Sequence, residues 1–135
     1  MARTSHLAKP ATALVLETLQ KQRAAMSAYA LLDALRAHGI NSPPIIYRAL
    51  AQLESEGQVH KVHALGSYVA CAHAHQHHAH ALSLLSVCVD CKTVEEVQDG
   101  AIVQHIEQLR GLGMQLAEQA TVELPVRCAA CLATH

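Results

Sequence analysis

Four of the five cysteines in this 135-residue chain form two Cys-x-x-Cys pairs, Cys88/Cys91 and Cys128/Cys131. Each pair sets two thiols on one tight turn. A fold that brings the two turns together builds a tetrahedral sulfur cage, the geometry a structural Zn²⁺ accepts. The 36 residues between the pairs suffice for a strand, a helix and a strand that return the second pair to the first. This matters because the chain contains no Phe or Trp, so its core must come from Leu, Val, Ile and Ala. Small units with modest cores commonly need a metal or a partner chain. The competing readings are redox dithiols or metal-free structural cysteines, although a thioredoxin-like site uses one such motif in a βαβ context. An odd cysteine count argues against a complete disulfide framework.

The fifth cysteine, Cys71, stands beside a run that holds His73, His75, His77, His78 and His80. Thiol and imidazole together point to a second, different metal site. The run also reads as a low-complexity segment that raises local metal capture. No apolar run is long enough to span a membrane, and the first residues lack the apolar stretch of a signal peptide. Free cysteines without export fit a reducing, cytoplasmic setting. The formal net charge of −1 hides an asymmetry. Residues 1–63 carry seven Lys/Arg against four Asp/Glu, and residues 64–135 carry three against seven. A basic first half is compatible with phosphate contacts.

Apolar spacing predicts three helices first. Leu14, Leu16 and Leu19 follow Pro10. Ser27 is an N-cap for Leu31, Leu32 and Leu35, with Gly39 beyond the end, and Ser42-Pro43-Pro44 opens a helix through Ile46, Leu50 and Leu53. Extended runs at 58–63 and 67–71 then read as a hairpin. Three helices and a hairpin are the order of a winged helix-turn-helix, whose third helix enters the DNA major groove. The plainer alternative is a small helical bundle with a hairpin attached. Beyond the histidines, strands are predicted at Leu82–Val89 and Thr93–Val97, an amphipathic helix at Ala101–Leu112 and a strand at Met114–Leu124. These make a second, β-α-β unit.

Four segments, taken with the paired cysteines, carry a resemblance. They are Ser27-Ala28-Tyr29-Ala30-Leu31-Leu32, Pro43-Pro44-Ile45-Ile46-Tyr47-Arg48-Ala49-Leu50, Gly57-Gln58-Val59-His60-Lys61-Val62 and Ser67-Tyr68-Val69-Ala70-Cys71. Over roughly residues 8–131 the chain resembles the ferric-uptake-regulator family of metal-sensing repressors, and within it the zinc-uptake-regulator branch. The resemblance implies an α+β homodimer that binds palindromic, A·T-rich operators when metal-loaded. It divides the chain into a winged-helix DNA-binding domain (1–71), a His-rich hinge (72–81) and a zinc-stapled α/β dimerisation domain (82–135).

The resemblance also implies roles. Cys88, Cys91, Cys128 and Cys131 hold a permanent structural zinc. His60, Cys71, His80 and Glu96 hold a regulatory zinc. His80 stands one residue further from Cys88 than the branch pattern, so His78 or His73 are substitutes for it. Tyr29, Tyr47 and Arg48 are carried over as DNA contacts. The expected protein is a zinc-responsive repressor of zinc-uptake genes, not an enzyme, whose partners are double-stranded operator DNA and a second copy, with no membrane and no small organic ligand. A relative sensing another metal or peroxide, and a zinc buffer or chaperone without DNA binding, are the alternatives.

Chemistry supports the regulatory set independently of the resemblance. Imidazole, thiolate and carboxylate suit Zn²⁺, and a soft thiolate disfavours Fe²⁺ and Mn²⁺. Each residue also has a plain reading: His60 as a surface strand residue, Cys71 as a small buried apolar group, Glu96 as a solvated carboxylate beside Glu95. For Tyr29 and Tyr47 it is packing on a helix surface, and for Arg48 a phosphate contact or free charge. The chain departs from the family at Leu7-Ala8-Lys9-Pro10-Ala11-Thr12, which lacks the usual arginines. It has Ile45 in place of threonine and Lys92 in place of glycine. Weaker, more salt-sensitive DNA binding is expected.

Overall fold

The computed structural model describes residues 9–22, 24–72, 82–117 and 120–134. Helices α1 (Ala11–Gln22), α2 (Ala28–Leu35) and α3 (Pro43–Ser55) come first, followed by an antiparallel hairpin of β1 (Val59–Val62) and β2 (Ser67–Ala70). The remaining elements are β3 (Leu82–Cys88), β4 (Val94–Val97), α4 (Gly100–Glu107), β5 (Ala120–Val126) and α5 (Ala129–Ala133). They surround a three-stranded sheet in the order β4-β3-β5, with β4 antiparallel and β5 parallel to β3. The parallel pair requires the crossover that α4 supplies. The architecture is α+β, with the winged helix-turn-helix order in its first half. Among the described residues, no helix is long and apolar enough to cross a membrane.

The helix starts differ instructively. Ser27 caps α2, its hydroxyl accepting from the Ala30 N–H at 3.1 Å. Ser42 occupies the N-cap of α3, yet its side chain makes no capping bond. The two following prolines supply no amide hydrogens, and the first available one, on Ile45, goes to the Ser42 carbonyl at 3.1 Å. The expected serine cap is thus replaced by proline preorganisation. Asp99, which no sequence signal had singled out, caps α4 through the Ala101 and Ile102 amides.

Alternation along the hairpin assigns it to two cores at once. Val59, Tyr68 and Ala70 pack against the helical core around Val15, Leu19, Leu31, Ile46 and Leu50. Val62 and Val69 face the other way, joining Leu85, Val87, Leu65 and Val94 in a second apolar cluster. Period-two side-chain direction is the cause. Met26 extends the hairpin by pairing with Tyr68 through both backbone groups, an addition to the expected two strands.

The last strand departs from its predicted span. It covers Ala120–Val126, not Met114–Leu124. A 3-10 turn over Gln108–Leu112 ends at Gly113 in the left-handed region (φ +86°). Residues 114–117 form no strand, and the pairing begins with Ala120 opposite Leu82. Helix α5, carrying the second cysteine pair, was not anticipated.

Candidate metal centres and the exposed face of the third helix

Parallel pairing of β3 with β5, ending at Cys88 opposite Val126, brings both cysteine turns to the same end of the sheet. Cys88 closes β3, Cys91 lies in the following turn, and Cys128 is the N-cap of α5, which holds Cys131. The Cys88–Cys131 and Cys91–Cys128 Sγ separations are 3.8 and 3.7 Å, and all four sulfurs lie within 4.8 Å of one another. A regular tetrahedron with Zn–S bonds near 2.3 Å has edges of about 3.8 Å. The donor set therefore fits a tetrahedral metal.

Electrostatics around the thiols agree. Amide hydrogens of Cys128 and Cys91 lower the Cys88 thiol to about 6. The Thr93 hydroxyl, 3.0 Å from Cys91, lowers that thiol as well. Neighbouring Cys128 and then burial push Cys131 up to about 12. Four thiolates this close repel, and a divalent cation is the partner that lets all four ionise. Asp90, inside the first turn, meets Arg127, just before the second pair, at 2.6 Å. That pair ties the two turns together. Opposite charges beside the two motifs were its only trace in the sequence. Lys92 adopts φ +66°, a left-handed conformation that suits the glycine it replaces.

The second cluster joins the hairpin to the sheet. His60 pairs with Val69 in the hairpin, and Cys71 lies two residues beyond Val69, so the three share one face. The Cys71 N–H donates to the Gln58 carbonyl at 2.8 Å, extending the ladder past β2. Glu96 of β4 points at both residues. Its Oε2 is 3.5 Å from His60 Nε2 and 3.5 Å from Cys71 Sγ, and accepts the Ala72 N–H at 3.1 Å. His60 and Glu96 side chains are each only 8% exposed. That burial removes the plain readings of His60 as a surface residue and Glu96 as a solvated one. Cys71 is likewise buried.

Tetrahedral ligation at ordinary Zn–O, Zn–N and Zn–S lengths places O and S about 3.5 Å apart and O and N about 3.3 Å apart. Both Glu96 distances fit within about 0.2 Å, and all three donor atoms lie within 4.8 Å of one another. Burial pushes the Glu96 carboxyl up, but His60, the Ala72 amide and the Cys71 thiol outweigh it and hold the group at about 2. Among the described residues the group has three members. His73, His78 and His80 lie outside the described residues.

Of the three expected DNA contacts, Tyr29 sits at the start of α2, and Tyr47 and Arg48 lie on α3. Tyr29 is 61% and Tyr47 46% exposed, and Arg48 is exposed too. None of the three is used in packing the helical core.

Residues 9–123 match the profile of the ferric uptake regulator family. The chain belongs to this family. It is 39% identical over 121 residues to the zinc uptake regulation protein of Escherichia coli K12, spanning 87% of this chain and 68% of that one. A zinc uptake regulator complexed with zinc and DNA superposes with a TM-score of 0.81 at 34% identity, covering 93% of this chain and 83% of that chain. The holo form of XcZur gives a TM-score of 0.79 at 32% identity, over 93% and 86% of the two chains. This member of the ferric uptake regulator family thus has its His60–Cys71–Glu96 cluster, Cys88, Cys91 and its exposed helix within the matched region, with Cys128 and Cys131 just beyond it.

Proposed function

We infer that the protein is a zinc-responsive transcriptional repressor of zinc-uptake genes, acting as a homodimer on a palindromic operator. The observation that carries this reading is the His60–Cys71–Glu96 cluster, which takes two donors from the hairpin and one from β4. Occupancy of such a cluster bears directly on how the DNA-reading half sits against the second sheet. The zinc uptake regulator complexed with zinc and DNA, similar over 93% of this chain, supports it.

In this reading residues 1–71 read DNA, 72–81 form the hinge and 82–135 dimerise. Cys88, Cys91, Cys128 and Cys131 hold a permanent structural zinc, one per subunit. His60, Cys71 and Glu96, with His80 (or His78 or His73) as fourth ligand, hold the regulatory one. Zn²⁺ supplies there a four-coordinate cross-link between hairpin, hinge and sheet. His60 and Cys71 anchor the hairpin side, and Glu96 anchors the sheet side. The apolar residues of α4, Ile102, Val103 and Ile106, contribute nothing to either described core and offer the surface for a second copy.

In a dimer, hairpin placement sets the spacing of the two α3 helices, which must match half-sites about 34–36 Å apart or a multiple of it. When only a fraction of molecules holds that geometry, apparent DNA affinity falls by the same fraction. Reciprocally, operator DNA tightens zinc binding by the same factor. Tyr29, Tyr47 and Arg48 make the DNA contacts, with Arg48 suited to bidentate guanine recognition. The protein works in the cytoplasm and performs no catalysis.

Fluorescence anisotropy on a zinc-uptake promoter, with free Zn²⁺, Fe²⁺ and Mn²⁺ raised in buffered steps at fixed salt, tests this. Zinc-dependent affinity that Cys71→Ser abolishes is expected. Absence of any zinc dependence overturns the repressor reading, and an Fe²⁺ response surviving Cys71→Ser overturns the assignment of zinc as the sensed metal.

A further inference from the structure

Leu85 of β3 stands between two carboxylates. It pairs with Glu96 across the antiparallel ladder and with Glu123 across the parallel one. Directly opposed residues point to the same face, so Glu96, Leu85 and Glu123 form one row across the sheet. Leu85 is buried beneath the hairpin, in the cluster with Val62. Glu96, on one edge, meets His60 and Cys71. Glu123, on the other edge, meets the opposite end of the same hairpin.

That second meeting is bidentate. Glu123 Oε2 accepts the His63 N–H at 2.5 Å, and Oε1 accepts the Ala64 N–H at 2.8 Å. These are the opening amides of the 3-10 turn His63–Leu65 that joins β1 to β2. Amides at the start of such a turn have no carbonyl partner within it, so an outside acceptor is required. A carboxylate using both oxygens on two adjacent amides fixes orientation as well as distance. Leu65, at the end of the same turn, packs against the cluster containing Leu85. No metal donor takes part in this contact.

We propose that Glu123 is a positioning residue: a metal-independent latch that holds the hairpin turn against β5. Closing the His60–Cys71–Glu96 cluster then secures a hairpin already held at its far end. The latch lowers the free zinc needed for the DNA-competent arrangement, because the freedom left to be removed is only a pivot of the hairpin about the Glu123 contact. This consequence rests on the regulator reading, but the latch itself does not.

Backbone amide hydrogen exchange separates the two. It is measured on full-length wild type, Glu123→Ala and Glu123→Gln, each retaining the zinc of the four cysteines and stripped of the regulatory metal. In Glu123→Ala the His63 and Ala64 amides should exchange about tenfold faster, with Glu123→Gln intermediate, while protection in β3 is unchanged. The free zinc giving half-maximal DNA binding should rise about tenfold in Glu123→Ala and less in Glu123→Gln. Unchanged exchange at His63 and Ala64 overturns the latch. Faster exchange with an unchanged zinc midpoint overturns its positioning role. If wild type shows no zinc-dependent DNA binding, the regulator reading fails while the exchange still decides the latch. If Glu123→Ala does not fold, Glu123→Gln carries the same comparisons.

Discussion

Replacing Glu96 by Gln removes one negative charge from the second cluster while preserving side-chain size. In the folded, metal-free protein this carboxyl is held at about 2 against an ordinary 4.5. At about 1.36 kcal/mol per pKa step, the ceiling on its contribution is roughly 3 kcal/mol. Glu96 also lines a cleft with Val69, Cys71 and Leu85, and solvent screening there reduces the figure to roughly 1.5 kcal/mol. The sign follows from the depressed value. The charged form is favoured in the fold, so stabilisation is complete above about 4.5 and is lost as pH falls toward 2. Gln retains an oxygen for the Ala72 amide, so the wild-type-minus-variant difference isolates the charge. Urea unfolding followed by circular dichroism, with the regulatory metal chelated, should show wild type more stable by roughly 1.5 kcal/mol at pH 7. The difference should shrink below pH 4.5 and vanish near pH 2. Acid release of any metal held by the four cysteines would be common to both proteins. A difference that stays constant between pH 7 and pH 3 refutes the electrostatic account and leaves packing as the cause.

Further consequences can be checked separately. Lys92→Gly relieves the left-handed φ of +66° at the cost of the exposed Lys92 Nζ bond to the Val89 carbonyl, 2.8 Å. The denaturation midpoint should rise by an equivalent of about 0.5 kcal/mol, and a clear fall refutes the strain argument. Cys88→Ser should lose one zinc and unfold or monomerise on size-exclusion chromatography, whereas Cys71→Ser should remain a folded dimer with that zinc retained. Asp90→Asn, which breaks the 2.6 Å pair with Arg127, should speed zinc release to a chromophoric chelator about tenfold without altering stoichiometry. Arg48→Ala should weaken operator binding about tenfold or more, with the protein's zinc affinity in the absence of DNA unchanged.

How much of this was legible beforehand depended on whether the signal was local. The helices announced themselves through apolar spacing and Ser27, and the cysteine pairs through their own spacing. His60, Cys71 and Glu96 were singled out by the family pattern alone, and the hairpin register that sets the first two on one face is visible only in the structure. What escaped was set by register and by competition for amides. Ser42 reads as a cap, but Pro43 and Pro44 offer no amide and the Ile45 N–H goes to the Ser42 carbonyl instead of its hydroxyl. Met26 pairs with Tyr68 through backbone atoms only, which leaves no mark in residue type. The start of β5 is set by its parallel register with β3, Ala120 opposite Leu82, which side-chain periodicity does not encode. Glu123 looks like any polar strand residue until its register with Leu85 is known.

The hairpin's double allegiance bears on what kind of switch this fold can support. Its inner residues, Val59 and Tyr68, belong to the helical core, and its outer residues, Val62 and Val69, belong to the cluster over the sheet. The first core is the larger, and it takes Ile46, Ala49, Leu50 and Leu53 from α3 together with Val59 and Tyr68 from the hairpin. The second cluster has only three fully buried members, Val62, Leu85 and Val87. Fully exposing three such side chains costs roughly 5–9 kcal/mol, an upper bound within the roughly 10–16 kcal/mol of structural zinc binding. Under the proposed regulatory role, a signal at His60, Cys71 and Glu96 would need to refold nothing: it would tip a small apolar interface whose other end the proposed Glu123 latch carries, and α3 would follow through the packing of Val59 in the shared helical core.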